Sequence, residues 1–168
     1  PRGLDASGAA RVESPIGVDS SCDPFNSIRL NAENHPFNPM VNAGAIACSG
    51  LIHEARGDGA FDYIRQALGR FAGRTLDVDD AVYSSESLTG DRNRAIGYLL
   101  RTNAIIKDNV SSVLEVYFRQ CAILVNARDI AVMAATMDNR GINPFTGEQV
   151  MTHYAISRTL SVMPSSGM

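Results

Sequence analysis

The stretch "NPMVNAGAI", Asn38 to Ile46, decides how this chain is organised. Before it the sequence is crowded with turn-forming clusters; after it, apolar residues recur at helical spacing almost to the end. Asn38-Pro39 has the form of a helix start, since asparagine can cap free backbone N–H groups and proline suits the first helical position. Asn42 and Gly44 follow, where a helix interior favours leucine or alanine. An amide side chain and a bare backbone at the mouth of a helix call for a reason other than helix formation.

Upstream, "ASGA", "ESP", "DSSCDPFN" and "NHPFNP" predict irregular connections over residues 1–38, with one short helix around Ala9 to Val12. Downstream, a first helix is expected from Ala43 to Ala55, stopped near Gly57. A second is expected through "AFDYIRQALGRFAG", where Phe61, Ile64, Leu68 and Phe71 share a face and Gly73 terminates. "DVDDAVYSSES" opens with acidic capping residues and should end at Thr89-Gly90. Another helix starts at Asp91, with Ile96, Leu99 and Leu100 facing inward.

"SSVLEVYFRQCA" has the form of a capping box between Ser112 and Glu115. "NARDIAVMAATMDNRG" is capped by Asn126 and stopped by Gly141, "NPFTGE" is a turn, and Thr152 opens a last helix through Leu160. The best strand candidate is "CAILV", Cys121 to Val125. The expectation is a mainly α chain, irregular over 1–38 and helical over 39–168, in a single domain without repeats or linkers.

Composition excludes several classes. At 168 residues and 18.0 kDa the chain suits one domain, and 45% hydrophobic with 20% charged residues is ordinary for a globular protein. A net charge of -3 gives no basic footprint for nucleic acid. No apolar run approaches a membrane span, and the opening residues carry no signal-peptide core. Cys22, Cys48 and Cys121 are widely spaced without C-x-x-C, which suggests reduced thiols in a cytoplasmic compartment, with Cys48 and Cys121 packed in the core. His35, His53 and His153 lack the spacing of a helical zinc pair, so no metal is expected.

G-x-S-x-G, H-E-x-x-H and phosphate-binding G-K-[ST] are all absent, and "RGDGAFD" lacks the third glycine of a dinucleotide loop. What remains is polar residues in unusual places: Asn42 at a helix mouth, Glu86 beside a break, Asn93 at a helix start and Tyr117 inside an apolar helix. Two amides, one carboxylate and one phenol suit a free α-amino acid, whose ammonium pairs with the carboxylate and whose carboxylate accepts N–H and O–H donors. Each residue also has a plainer role open to it: a helix cap for either asparagine, a solvated side chain for Glu86, a core aromatic for Tyr117.

"DPFNSI", "NPMVNAGAI", "SESLTGDRNRAIGY", "YFRQCAILV" and "DIAVMAATMDNRGINPFTGEQV" resemble the serine-dependent glutaminase family, in family order from Gly17 to Met168. The resemblance implies the helical lobe of an α+β, serine β-lactamase-like fold whose sheet is largely missing from this chain. It implies hydrolysis of L-glutamine to L-glutamate and ammonia through an acyl-serine intermediate, with no metal or organic cofactor. Homo-oligomers are common in the family, and L-glutamine is the implied small-molecule partner. Asn42, Glu86, Asn93 and Tyr117 each match a substrate-binding position of the family.

Departures from the family pattern are Leu124, where an acidic residue is usual, and Arg140, where glycine is common. A larger one is catalytic. In the family, Ser and Lys lie one helical turn apart in an S-x-x-K motif, so that the amine can take the hydroxyl proton. The single lysine here is Lys107, and Ala104 stands three residues before it. No catalytic residue is therefore assigned within 1–168, which is expected to be one partial glutaminase domain. A non-catalytic relative that binds an amino acid or a partner protein is the competing expectation.

Overall fold

The computed structural model describes residues 15–21 and 23–165. The helix expected at Ala9 to Val12 and the thiol of Cys22 lie outside the described residues. Among the described residues seven α-helices follow one another: α1 (Asn42–Arg56), α2 (Ala60–Ala72), α3 (Asp80–Thr89), α4 (Asp91–Thr102), α5 (Val110–Cys121), α6 (Ala127–Asp138) and α7 (His153–Ser165). Among the described residues the only β features are isolated antiparallel bridges, Val78 with Ile123 and Ile142 with Gln149. "CAILV" is thus no strand: Cys121 closes α5 and Ile123 makes one bridge.

The core forms where α1 packs against α4 and α5. Ala43, Gly44, Ala47, Ser49 and Gly50 give α1 a buried face of small residues, which lets its neighbours approach closely. Ile46, Ile96, Leu100 and Val113 fill the junction and are fully buried. Full burial of each such aliphatic side chain contributes about 1.5–3 kcal/mol. A smaller cluster of Ala60, Ile64 and Val116 seats α2 on α5.

The other face of α2 is fastened to α6 by polar contacts. Arg74 donates two parallel bonds to the buried Asp129 carboxylate, at 2.8 and 2.6 Å. The α2 carbonyls of Arg70 and Phe71 accept from Asn143 Nδ2, whose Oδ1 accepts from Phe145 and Thr146 N–H. Helix ends are commonly left with unpaired carbonyls, and here one buried amide takes two of them. Gly73 completes the stop in the left-handed region at φ 72°, as its sequence position predicts.

Two expected caps are overturned. Asn38 does not cap α1, which starts at Asn42 after Val41. Its side chain instead donates to the Asp19 carbonyl and accepts from Met40 N–H, so Asn38-Pro39 belongs to a tight turn before the helix. Ser112 and Glu115 form no capping box either. Asn109 caps α5 by accepting from Ser111 N–H, while the Glu115 carboxylate accepts from the Tyr83 hydroxyl at 2.7 Å. The cap by Asn126 is as expected, reciprocated by Asp129. The last helix runs past Leu160 to Ser165 and includes Pro164.

Candidate functional site

The turn at residues 38–41 sets the position of Asn42. Asn38 is fully buried, and its carbonyl lies so close to α1 that a Cβ on Gly44 would come within 2.0 Å of it. Asn42 is the first residue of α1, and its backbone N–H donates to the Phe25 carbonyl at 2.8 Å. Its side-chain Nδ2 donates to Asn93 Oδ1 at 3.0 Å, across 51 residues of sequence. The amide and the glycine therefore belong together: Gly44 admits the turn that holds Asn42 beside Asn93.

Asn93 sits in the first turn of α4, directly after the break at Gly90. Asn93 Oδ1 is engaged by Asn42, and the bond between the two amides is the one side-chain hydrogen bond of either asparagine among the described residues, so the half-buried Asn93 Nδ2 and Asn42 Oδ1 stay open to a ligand or water. The pair thus presents the amide NH2 of Asn93 as a donor group and the amide oxygen of Asn42 as an acceptor, types that suit a carboxylate and an ammonium respectively.

Glu86 is half-buried near the end of α3, and Tyr117 is buried on α5. Burial pushes the Tyr117 phenol far above its ordinary range, reinforced by the Cys121 thiol one turn on and by the negative charge of Glu86. Tyr117 therefore stays protonated, a hydrogen-bond donor rather than a base. Burial raises the Cys121 thiol, against the opposing hydrogen bond with Tyr117 and with a smaller push from the negative charge of Glu86. Cys121 is exposed and not a core residue as its apolar neighbours in sequence suggested. Its spacing of four from Tyr117 was the available signal that the two share a helix face. Cys48 does pack against the core, and burial pushes its thiol up to about 11.

Two clefts open near these helices. One of about 190 Å³ is lined by Ser87, Arg94, Tyr98, Glu115 and Phe118, among others. The other, about 460 Å³, lies beyond the end of α2 by Arg70, Arg74 and Glu148. Neither is lined by the four candidates, which fall into two pairs, Asn42 with Asn93 and Glu86 with Tyr117. Among the described residues no group of three or more His, Cys, Asp and Glu side chains could hold a metal ion. No described helix is long and apolar enough to cross a membrane.

The glutaminase family model matches residues 3–168. The chain belongs to the glutaminase family. It is 77% identical over 165 residues to Glutaminase 1 of Bradyrhizobium diazoefficiens, covering 98% of this chain and 27% of that protein. It is 43% identical to the Glutaminase of Trichormus variabilis, covering 98% and 50%. The chain thus spans about a quarter to a half of the length of these relatives.

Solved glutaminases share the fold. A Bacillus glutaminase crystallised with 4.3 M NaCl superposes with a TM-score of 0.90 at 28% identity, covering 98% of this chain and 56% of that one. A structure described as Mglu in its glutamate form superposes with a TM-score of 0.87 at 36% identity, covering 98% and 38%. The helical layout described above is therefore the layout of this part of a glutaminase.

Proposed function

We propose that the protein hydrolyses L-glutamine to L-glutamate and ammonia, and that this chain supplies the surface that holds the amino-acid headgroup. The observation that carries this reading is the Asn42–Asn93 bond, which leaves the amide NH2 of Asn93 and the amide oxygen of Asn42 open at adjoining helix starts. Asn93 Nδ2 and the protonated Tyr117 hydroxyl donate to the substrate carboxylate, while Glu86 and Asn42 Oδ1 receive the ammonium. Family membership supports glutamine as the substrate, and the similarity to Mglu in its L-glutamate binding form supports an amino-acid ligand.

Headgroup contacts hold substrate and transition state about equally, so they contribute affinity and not rate. Acyl transfer needs an activated nucleophile as well, and no S-x-x-K occurs in residues 1–168. The serine and lysine of that motif must act from elsewhere in the full-length protein. We place the reaction in the cytoplasm, in a homo-oligomer, with no metal or organic cofactor.

The test is ammonia release from L-glutamine by the full-length protein and by the 168-residue chain alone. Turnover by the first and none by the second is expected. A full-length protein that releases no ammonia overturns the reading. Turnover by the short chain within tenfold of the full-length rate, set against the roughly millionfold loss when a nucleophile is removed, overturns the assignment of the nucleophile.

A further inference from the structure

We propose that Arg94 is a positioning residue for the headgroup: it clamps the corner between α3 and α4 and so fixes Glu86 and Asn93 relative to Tyr117. This rests on the reading of the site given above. Arg94 follows Asn93 in the first turn of α4 and is half-buried. Its Nη2 donates to the carbonyl of Ser87, the residue after Glu86. That carbonyl is among the last four of α3, which lack partners within the helix, so the guanidinium satisfies it in place of water. Its Nη1 reaches Asp91 Oδ1 at 3.4 Å.

The plane of the same guanidinium reaches the third element. Its central carbon lies 5.6 Å from the ring centroid of Phe118, which in turn is 5.9 Å from the ring of Tyr117. Arg94, itself the chain neighbour of Asn93 on α4, therefore contacts the chain neighbours of Glu86 on α3 and of Tyr117 on α5. It touches none of the three functional groups itself.

The corner it spans is closed to the limit of van der Waals contact. A Cβ on Gly90 would lie 2.5 Å from Phe118 Cζ and 2.6 Å from the Glu86 carbonyl. The backbone between Glu86 and Asn93 thus rests directly on Phe118, and Arg94 locks it from the outside. A lysine restores the charge but not the fork that reaches Ser87 and Asp91 together. Side-chain packing alone would not require that fork.

The experiment compares Arg94→Met, Arg94→Lys and Arg92→Met in the full-length protein, with Glu86→Gln and Asn93→Ala alongside. Arg92 is exposed and loses the same charge next to Asn93. Arg94→Met is expected to raise KM for L-glutamine about tenfold, with kcat changed less than about threefold, because headgroup contacts are uniform binding. Arg94→Lys should recover part of that loss, and Arg92→Met should leave KM within about twofold.

A lower melting temperature for Arg94→Met with an unchanged KM makes Arg94 merely structural and overturns the proposal. An equal rise in KM for Arg92→Met also overturns it, because net charge and not the clamp is then at work. If Glu86→Gln and Asn93→Ala leave KM unchanged, the headgroup reading itself fails and this inference falls with it. If those two raise KM and Arg94→Met does not, only the clamp is wrong.

Discussion

Replacing Gly44 by alanine tests the reason for a glycine at the mouth of α1. In an open helix position the change stabilises by about 1 kcal/mol, because alanine is the better helix former. Here the new Cβ would stand 2.0 Å from the Asn38 carbonyl oxygen and 2.8 Å from both Asn38 C and Pro39 Cα. All three are backbone atoms, so no rotamer change relieves the contact. An ordinary carbon–oxygen approach is about 3.3 Å, and the turn must therefore withdraw by more than about 1 Å.

That movement pulls on Asn38, whose side chain holds the Asp19 carbonyl and Met40 N–H from a fully buried position. Overpacking costs about 1–3 kcal/mol, and a strained or broken buried hydrogen bond adds about 1 kcal/mol. Set against the helix-propensity gain, the net loss is about 1–3 kcal/mol. Urea unfolding should show a lower midpoint with an unchanged slope. Gly59→Ala is the control, since a Cβ there meets nothing within 4 Å. If Gly44→Ala unfolds at or above the wild-type midpoint, the turn does not bear on α1 and the account of this glycine is wrong.

Three further outcomes follow from the same contacts. Glu86→Gln should weaken competitive inhibition by L-glutamate in the full-length protein, by about 2–5 kcal/mol if its partner is a desolvated ammonium; an unchanged inhibition constant makes Glu86 a solvated residue. Asn143→Ala leaves the Arg70 and Phe71 carbonyls with only the Gly73 N–H and the Thr136 hydroxyl as donors, frees the Phe145 and Thr146 N–H groups, and should cost about 1–3 kcal/mol in urea unfolding, whereas a loss below about 1 kcal/mol means water replaces the amide. The Arg74 guanidinium, followed by the Asn126 N–H, holds the Asp129 carboxyl down to about 2. Its stabilisation is therefore full above the ordinary carboxylate value near 4 and is lost as pH falls through about 2. The stability gap between wild type and Asp129→Asn should be constant above about pH 5 and close between about pH 4 and 2; a gap that persists at pH 2 assigns the role to packing.

Local signals were legible where they met no competitor. Gly73 stops α2 and Asn126 caps α6 because each needs only its own neighbours in the chain. Asn38 and Glu115 carried equally good local signals and were diverted by distant partners, the Asp19 carbonyl and the Tyr83 hydroxyl. The four candidates for the headgroup stood out because their types contradicted their positions. Their grouping did not, because a bond across 51 residues exists only after α1 and α4 have docked. Arg94 gave no sequence signal beyond its spacing of three from Asp91, since its main contact is to a backbone carbonyl.

The chemistry of the headgroup surface makes a last prediction about which ligands it can tell apart. Everything assigned to it, the two amides, the Glu86 carboxylate and the Tyr117 phenol, addresses groups on the α-carbon of the substrate. L-glutamine and L-glutamate are identical there and differ only at the far end of the side chain. 2-Oxoglutarate keeps the α-carboxylate but replaces the ammonium by a carbonyl oxygen, which would face Glu86 as an acceptor against an acceptor. A half-buried carboxylate such as Glu86, covered by a ligand that offers it no charged partner, costs several kcal/mol, so 2-oxoglutarate should inhibit at least about a hundredfold more weakly than L-glutamate. In Glu86→Gln that discrimination should shrink by at least about tenfold, since an amide can donate to the ketone oxygen. Competitive inhibition constants for both ligands, on both proteins, measure it directly. If 2-oxoglutarate inhibits wild type as well as L-glutamate does, no carboxylate reads the ammonium, and Glu86 has no place in the site.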